Sequence, residues 1–266
     1  DLILDDFEPT GVQFIQSKVQ KVIPFGDPAT SQWHEDAEAV MIRGSRLTVD
    51  DFAKAKKLKV VSKQGVGVDN LDLEAARRHG VVVCTTPGVN SDAVAELAFG
   101  LALSVSRRIQ EMGQMIRAGE KIVRPQLLGY ELHQKTVGVI GMGNIGSRAA
   151  RYFHKAFDCQ ILAYDPYAKP DAWADLPHER MSDLKQLWPV VDLVTLHVPL
   201  TETTYHIVNR EAIALMKPSA MVINVSRGGL IDEVALFEAL SQGRLFGAGL
   251  DAFEEGEPPS ANNPLL

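Results

Sequence analysis

The chain has 266 residues and a formal net charge of −7, with 45% hydrophobic and 23% charged residues. These values are typical of a globular protein large enough for one or two domains, and they exclude collagen, coiled-coil and disordered chains. The negative charge argues against broad electrostatic capture of nucleic acid or of an anionic membrane, so we expect neither partner.

The two cysteines, Cys84 and Cys159, are too few for a disulfide framework and lack the spacing of a zinc site. We expect both to be small buried residues in a reducing compartment, and we expect no metal site. The first residues are typical of a strand and not of a signal peptide, and the longest apolar run, Ala93 to Val105, is too short to cross a bilayer. The sequence therefore favours a cytoplasmic protein.

The first part of the chain alternates short apolar runs with helical patterns, which predicts a parallel α/β sheet. Gly80 suits the cap after the second helix and marks where the next strand begins. The predicted strands are Leu2 to Leu4, Lys21 to Phe25, Ala39 to Ile42, Leu58 to Ser62 and Val81 to Cys84, with helices such as Asp50 to Lys57 and Leu73 to His79 between them.

A long helix is predicted from Ser91 to about Ala118, and a second alternating series follows it. Such a helix typically joins domains or packs against a second subunit, so we predict a homodimer. The predicted strands of the second series are Val137 to Ile140, Gln160 to Tyr164, Asp192 to Leu196, Ala220 to Val225 and Gly247 to Leu250, with helices near Ile145 to Phe157, Arg210 to Met216 and Glu233 to Ser241. The sequence thus predicts an α/β protein with two doubly wound parallel-sheet (Rossmann-like) domains, residues 1–94 and 95–266.

The strongest motif is GMGNIG at residues 141–146, a GxGxxG directly after a predicted strand and at the start of a predicted helix. In this context Gly141 permits a tight turn, Gly143 lets the backbone approach a pyrophosphate, and Gly146 lets the helix pack closely on the strand. The helix N-terminus supplies unpaired N–H groups for the anion. The alternative is a glycine-rich turn without a ligand.

Asp165 ends the next predicted strand, 19 residues after Gly146 (165 − 146 = 19), which is about the spacing at which an acid accepts the two ribose hydroxyls. A carboxylate there would repel a 2′-phosphate, so the sequence predicts NAD and not NADP as the cofactor. The alternative is that Asp165 only starts a turn with Pro166.

Arg227 is the strongest candidate for the reacting centre, because open α/β sheets bind ligands beyond the carboxyl ends of their strands. A guanidinium can bind a carboxylate bidentately and polarise an adjacent carbonyl, which are the two requirements of a 2-oxo acid. Gly228 and Gly229 would let a ligand come close. The alternative for Arg227 is a surface ion pair, and His197, after another strand, suits holding a loop as well as shuttling a proton.

Together these segments resemble the NAD-dependent D-isomer-specific 2-hydroxy-acid dehydrogenases, and the resemblance covers nearly the whole chain. The segments that carry it are GMGNIG at 141–146, YDP at 164–166, HVPLT at 197–201, NVSRGGLIDE at 224–233, GAGLD at 247–251, QGVGVDN at 64–70 and TPGVN at 86–90.

The resemblance implies a flavodoxin-like substrate domain, residues 1–94, completed by a C-terminal segment, and a Rossmann NAD-binding domain, residues 95–266. It implies that backbone N–H groups around Val66 and Gly67 hold the substrate carboxylate, that Arg227 binds and polarises the substrate, and that Asp251 orients the nicotinamide carboxamide. The cofactor-binding residues that it implies are Gly141, Gly143, Asn144, Ile145, Gly146, Asp165, His197, Val198, Pro199, Thr203, Val225, Ser226, Arg227 and Asp251.

The resemblance also implies a catalytic glutamate that raises the pKa of a histidine, so that the imidazolium can protonate the oxyanion formed as hydride arrives. The family pattern Phe-Glu-x-Glu-Pro is one residue longer here, from Phe253 to Pro258. We assign the role to Glu257, with Glu255 as the alternative. None of the seven histidines lies at the position of the family's histidine. We therefore expect the chain to be incomplete at Leu266 and the histidine to follow it.

Two functions stay open at this point. The first is an oxidoreductase that transfers a hydride between NAD(H) and a small D-2-hydroxy acid/2-oxo acid pair; the alternative is a catalytically inactive, NAD-sensing module that binds a protein partner. Arg227 and an acid near Glu257 favour the enzyme, because a sensor of NAD alone needs neither. Arg43, Gly44 and Ser45 are candidates for contact with the group at the 3-position of the acid, which the sequence does not identify.

Overall fold

A computed structural model describes residues 1–256 and 258–266, so Glu257, the predicted catalytic glutamate, lies outside the described residues. The chain forms two compact units, residues 1–90 and 91–266. Among the helices of the described residues, none has both the length and the apolar composition that a membrane span requires.

The first unit is a parallel sheet connected by short helices. Its elements are β1 (Leu2–Ile3), α1 (Pro9–Gln16), α2 (Trp33–Asp36), β2 (Ala39–Ile42), α3 (Val49–Lys54), β3 (Val60–Lys63), α4 (Leu73–Arg78) and β4 (Val82–Thr85). The strands lie in the order β1-β2-β3-β4, and Ile23 adds an isolated parallel bridge beside Leu2 of β1. Counted with this bridge, the order is the 2-1-3-4-5 pattern of flavodoxin-like sheets.

Two expectations for the first unit are wrong for local reasons. The strand predicted from Lys21 to Phe25 is reduced to the bridge at Ile23, because Pro24 has no N–H to continue a ladder. Cys84, predicted to be buried, is exposed. It lies on the edge strand β4 and shares an outward face with Val82, which is 58% exposed. Gly80 does adopt the left-handed conformation of a helix cap, with φ +70°.

The second unit is a six-stranded parallel sheet. Its elements are α5 (Ser91–Ser106), α6 (Ile109–Arg117), β5 (Thr136–Ile140), α7 (Asn144–Phe157), β6 (Gln160–Tyr164), β7 (Glu179–Arg180), α8 (Leu184–Leu187), β8 (Leu193–Leu196), α9 (Arg210–Leu215), β9 (Met221–Asn224), α10 (Glu233–Ser241) and β10 (Gly247–Leu250). The strand order β10-β9-β8-β5-β6-β7 is the doubly wound pattern of dinucleotide-binding sheets. The chain adds strands on one side of β5 up to β7 and then on its other side from β8 onward, so the switch point lies between β5 and β8. The predicted fold class is therefore confirmed.

The long helix predicted from Ser91 is two helices, α5 and α6. The chain breaks at Arg108, which adopts a left-handed conformation with φ 50°. The side chain of Arg108 donates to the carbonyl oxygen of Leu128 at 3.1 Å and lies over the ring of Phe246 at 4.7 Å. These contacts stabilise the left-handed conformation of Arg108, which separates α6 from α5. No residue of α6 is buried.

Candidate cofactor and active site

The carboxyl ends of five adjacent strands of the second unit lie level with one another. The register pairs Ile140 with Tyr164 and with Leu196, Leu196 with Asn224, and Asn224 with Leu250. The residues that follow these partners at once are Asp165, Gly141, His197, Val225 and Asp251, in the order of the strands across the sheet. Since neighbouring strands lie about 4.8 Å apart, the sheet brings five predicted site residues into one row at the edge where such sheets bind ligands.

The three glycines of GMGNIG have different surroundings. Gly141 has φ +101°, and a Cβ added there would lie 2.5 Å from the carbonyl oxygen of His197. A Cβ added at Gly146 would collide with the carbonyl oxygen of Gly141. Gly143, by contrast, has φ −77° and ψ −164°, and no protein atom lies within 4 Å of an added Cβ. The packing of the protein itself therefore requires Gly141 and Gly146, whereas Gly143 borders open space.

The start of α7 supplies the donors that a pyrophosphate needs. Gly143 is the N-cap of this 14-residue helix and makes no side-chain cap, so the first N–H groups keep their hydrogen-bonding capacity. Gly143 and Asn144 are exposed, and Ile145 is half-buried. Open space beside the backbone, uncapped N–H groups and the positive end of a helix dipole together fit the pyrophosphate of a dinucleotide.

Asp165 forms the turn with Pro166, which is one of the two roles that the sequence left as alternatives. Its Oδ2 accepts a hydrogen bond from the N–H of Met142 at 2.9 Å, which joins the glycine loop to the end of β6. Its Oδ1 accepts from the N–H of Tyr167 at 2.9 Å, which forms the turn that contains Pro166. A carboxylate has about four acceptor positions, so ribose hydroxyls can still bind beside these two contacts.

His197 is a half-buried residue whose ring is held neutral near pH 7. Burial lowers its pKa to about 3. Its Nε2 lies 3.0 Å from the hydroxyl of the fully buried Thr195, and its Nδ1 is buried without a hydrogen-bond partner among the described residues. A neutral ring disfavours a proton shuttle. The contact of Nε2 with Thr195 favours the other alternative, in which His197 holds the loop.

The loop after His197 is held by threonines. Thr204 donates from its hydroxyl to the carbonyl oxygen of Pro199 at 2.6 Å, and the hydroxyls of Thr201 and Thr203 lie 3.1 Å apart. A methyl group of Val198 lies 3.0 Å from where a Cβ on Gly141 would stand. Val198 therefore borders the glycine turn, while Pro199 and Thr203 are exposed at the same edge.

Arg227 follows β9 on a turn that the side chain of Asn224 fixes. Asn224 is fully buried; its Nδ2 donates to the carbonyl oxygen of Arg227 at 2.8 Å, and its Oδ1 accepts from the N–H of Ser226 at 3.1 Å. Its carbonyl oxygen accepts from the N–H of Asp251 at 2.9 Å. Asn224 thus fixes the backbone of three predicted site residues, Ser226, Arg227 and Asp251. Sequence reasoning missed it, although a polar residue that ends an otherwise apolar strand was a usable signal.

Gly228 and Gly229 serve the packing of the protein and not the approach of a ligand, contrary to expectation. A Cβ added at Gly228 would collide with the main chain of Phe253 and Glu254. A Cβ added at Gly229 would lie 3.2 Å from a methyl group of Leu200. Gly228 brings the turn after β9 against the segment after β10, and Gly229 brings it against the loop after β8.

Glu255, the alternative to Glu257, has a local structural role. Its Oε1 accepts from the N–H of Ser260 at 2.7 Å and from the side-chain amide of Asn263 at 2.8 Å. The carboxylate is thus engaged with the residues that follow it in the chain.

In the first unit, Val66 and Gly67 lie on the loop after β3. The loop begins at Gly65, which has φ +106° and is paired with Thr86 through two hydrogen bonds, from Gly65 N–H to the Thr86 hydroxyl at 2.8 Å and from Thr86 N–H to the Gly65 carbonyl at 3.0 Å. Val66 is 54% exposed. The pairing fixes the start of the loop, while Val66 is open to solvent and Gly67 is half-buried.

Arg43, Gly44 and Ser45 follow β2, and their backbone N–H groups are occupied by Asp5. All three donate to its carboxylate, at 2.5 to 3.1 Å. Burial raises the pKa of Asp5, but these hydrogen bonds outweigh it, and the pKa lies below its ordinary value. A ligand at this place would therefore meet the exposed side chain of Arg43 and not the backbone donors.

Residues 99–266 match the family model described as D-isomer specific 2-hydroxyacid dehydrogenase, NAD binding domain. The chain belongs to this dehydrogenase family. The match confirms the family predicted from the motifs and NAD as the cofactor.

The relatives include enzymes named for several 2-hydroxy acids and 2-oxo acids. The D-3-phosphoglycerate dehydrogenase of Methanocaldococcus jannaschii is 46% identical over 233 residues, which are 87% of this chain and 44% of that protein. The hydroxypyruvate reductase of Thermotoga maritima is 40% identical over 257 residues, 96% of this chain and 78% of that one. The crystal structure of a D-lactate dehydrogenase from Aquifex aeolicus, complexed with NAD and lactic acid, has a TM-score of 0.84 at 30% identity and covers 96% of this chain and 78% of its own. This chain thus spans less than half the length of the phosphoglycerate dehydrogenase.

Proposed function

We propose that the protein is an NAD-dependent oxidoreductase that transfers a hydride between NAD(H) and a small D-2-hydroxy acid/2-oxo acid pair. The observation that carries the proposal is the row of strand ends, from which the cofactor loop at Gly143, the acid Asp165 and the turn of Arg227 extend at one edge of one sheet. The relatives reported above are named dehydrogenases and reductases, which supports an enzyme over an inactive NAD-sensing module.

When it is bound, NADH supplies the hydride. The protein therefore has to bind and orient the 2-oxo acid and provide the proton for its carbonyl oxygen. In the direction of reduction, Arg227 binds the carboxylate of the 2-oxo acid and stabilises the negative charge that develops on the carbonyl oxygen. Glu257 raises the pKa of a histidine, which donates the proton to that oxygen. The engagement of Glu255 with Ser260 and Asn263 supports Glu257 for this role.

The cofactor is held mainly by backbone groups. The N–H groups of Gly143, Asn144, Ile145 and Gly146 bind the pyrophosphate, and Asp165 accepts the ribose hydroxyls. The residues that line the rest of the cofactor site in this proposal are Gly141, His197, Val198, Pro199, Thr203, Val225, Ser226, Arg227 and Asp251. Because Asp165 would repel a 2′-phosphate, NADH is preferred over NADPH.

The substrates are small or phosphorylated 2-oxo acids. In this proposal backbone N–H groups of Val66 and Gly67 bind the substrate carboxylate, and residues 1–94 form the substrate domain. The exposed guanidinium of Arg43 suits a phosphate or a second carboxylate on the substrate.

The proposed assembly is a homodimer formed through α5 and α6. The support is that α6 is amphipathic yet has no buried residue, with Ile109 57% and Ile116 65% exposed. Light scattering measures the mass of the assembly directly.

A cytoplasmic location is also proposed, since Cys84 and Cys159 are both free thiols. No nucleic acid partner is proposed, because the net charge is −7.

The test is the loss of NADH absorbance when the protein, expressed from its whole reading frame, is offered glyoxylate, hydroxypyruvate, phenylpyruvate and 3-phosphohydroxypyruvate, with NADPH as the control. Turnover of any of them with NADH supports the proposal, and the substrate used begins to define the specificity. Tight NADH binding with no turnover on this panel would contradict it and favour the sensing module.

A further inference from the structure

A cluster of Tyr205, His206 and Glu254, here called the Glu254 clamp, joins two loops beside the row of strand ends. The Oε1 atom of Glu254 accepts from the Tyr205 hydroxyl at 2.7 Å and lies 3.1 Å from Nε2 of His206. The rings of Tyr205 and His206 stack with their centroids 3.9 Å apart. The hydrogen bond to Glu254 raises the pKa of Tyr205, so its hydroxyl stays a donor.

The backbone of His206 is in an uncommon conformation. Its φ is 50°, in the left-handed region that favours glycine. Such a conformation persists where the surrounding structure determines it, and it is a reason to look for a function. At His206 the backbone N–H donates to the carbonyl oxygen of Gly229 at 2.9 Å, two residues after Arg227, while the side chain reaches Glu254. One residue therefore contacts both the turn of Arg227 and the acidic segment, the stretch that begins at Glu254.

The acidic segment is also held from its other side. The N–H of Glu254 donates to the carboxylate of Glu233 at 2.6 Å. The main chain of Phe253 and Glu254 packs against Gly228 without room for a Cβ. The start of the segment is thus fixed against the Arg227 turn, and Glu257 follows three residues after Glu254 in the sequence.

We propose that His206, assisted by Tyr205, is a positioning residue that holds Glu254 and so sets where the acidic segment begins relative to Arg227. The proposal rests on the proposed function, in which Glu257 and Arg227 act in one reaction. A misplacement of about 1 Å in a catalytic group can cost on the order of 10²-fold in rate. A contact three residues before that group therefore affects the rate without touching the substrate.

The test begins with His206→Gly. Glycine adopts the left-handed conformation more readily than histidine, so the variant keeps the backbone bond to Gly229 and loses only the side chain. The matched control is Asp158→Gly, because Asp158 is also left-handed, with φ 52°, at the end of α7. Both variants exchange a left-handed residue for glycine, and only one of them opens the clamp.

Two measurements follow on the whole protein. Amide hydrogen exchange read by mass spectrometry should rise about tenfold in the peptide that contains residues 253–256 of His206→Gly and stay unchanged elsewhere. The kcat with a 2-oxo acid should fall about tenfold, while NADH affinity and melting temperature stay those of the wild type. Asp158→Gly should match the wild type in all four readouts.

Variants of Glu254 distinguish the loss of the clamp from a general loss of structure. Glu254→Gln should keep most activity, because its amide oxygen still accepts both hydrogen bonds, whereas Glu254→Ala should behave like His206→Gly. The double variant His206→Gly/Glu254→Ala should be no slower than Glu254→Ala alone, since both changes break one contact.

Wild-type exchange in His206→Gly, wild-type kcat despite faster exchange, or additive effects in the double variant would each overturn the proposal. A wild-type protein that reduces no 2-oxo acid would refute the proposed function and the catalytic consequence of the clamp. The exchange data would still report whether His206 holds the segment, so the two failures can be told apart.

Discussion

Gly143→Ala should weaken cofactor binding without weakening the fold. The backbone at Gly143, φ −77° and ψ −164°, is one that alanine adopts without strain, and an added Cβ meets no protein atom within 4 Å. We therefore expect the free energy of unfolding to change by less than about 0.5 kcal/mol. The methyl group would keep a pyrophosphate away from the N–H groups of α7. Losing one hydrogen bond to a charged group costs about 1.5–3 kcal/mol, or roughly 10- to 150-fold in the Kd for NADH.

The assay is a fluorescence titration with NADH beside a urea unfolding curve, with two glycine controls. Gly11→Ala adds a methyl group on α1 where no atom lies within 4 Å, so NADH binding should not change. Gly141→Ala should instead cost more than about 1 kcal/mol of stability, because its φ is +101° and its Cβ would lie 2.5 Å from the carbonyl oxygen of His197. A wild-type Kd for Gly143→Ala would refute the reasoning, since no pyrophosphate could then approach this backbone.

Three further predictions address the acid, the cation and the first unit. Asp165→Ala should weaken NADH binding and reduce its preference over NADPH, and an unchanged preference in titrations of both would place the ribose elsewhere. Arg227→Lys keeps the charge but not the bidentate geometry, so kcat/KM for a 2-oxo acid should fall by about 10²-fold; wild-type kinetics would remove Arg227 from the site. Asp5→Asn should lower the free energy of unfolding by about 1.5 kcal/mol at pH 7, because Asp5 accepts hydrogen bonds from Arg43 and its neighbours. Because the folded-state pKa of Asp5 is below the ordinary 3.8, this difference should persist above pH 3.8 and shrink as the pH falls through the folded-state pKa; a difference that grew in acid would contradict the assignment.

The cofactor half of the site could be predicted because its signals are local. A strand, a glycine turn, a helix start and an acid at the end of the next strand lie within residues 136–165, and each is defined by its neighbours in the sequence. Of the two elements that were wrong, one follows the same local logic and the other depends on contacts with distant residues. Pro24 ends a strand by lacking a donor, and Arg108 breaks a helix through contacts with Leu128 and Phe246 that no helical pattern contains.

The supports of the reacting residues could not be predicted, because they join distant parts of the chain. His206 and Glu254 are 48 residues apart in sequence and 3.1 Å apart in space. Asn224 has a visible oddity, a polar side chain in an apolar strand, but its partners are known only when the turn of Arg227 is folded over it. Such contacts depend on how one loop packs on another, and the residue types alone do not predict that packing.

Glycine shows most directly where sequence reasoning stops. Gly143 and Gly228 both follow strand ends at the same edge of the sheet, and both were expected to admit a ligand. An added Cβ at Gly143 meets open space, whereas one at Gly228 meets the main chain of Phe253 and Glu254. The absence of a side chain signals only that something comes close to the backbone, and the neighbour can be a cofactor or the protein itself. At Gly143 the fold leaves that place to a ligand, which is why the effect of a methyl group there is expected in the affinity for NADH and not in the stability of the chain.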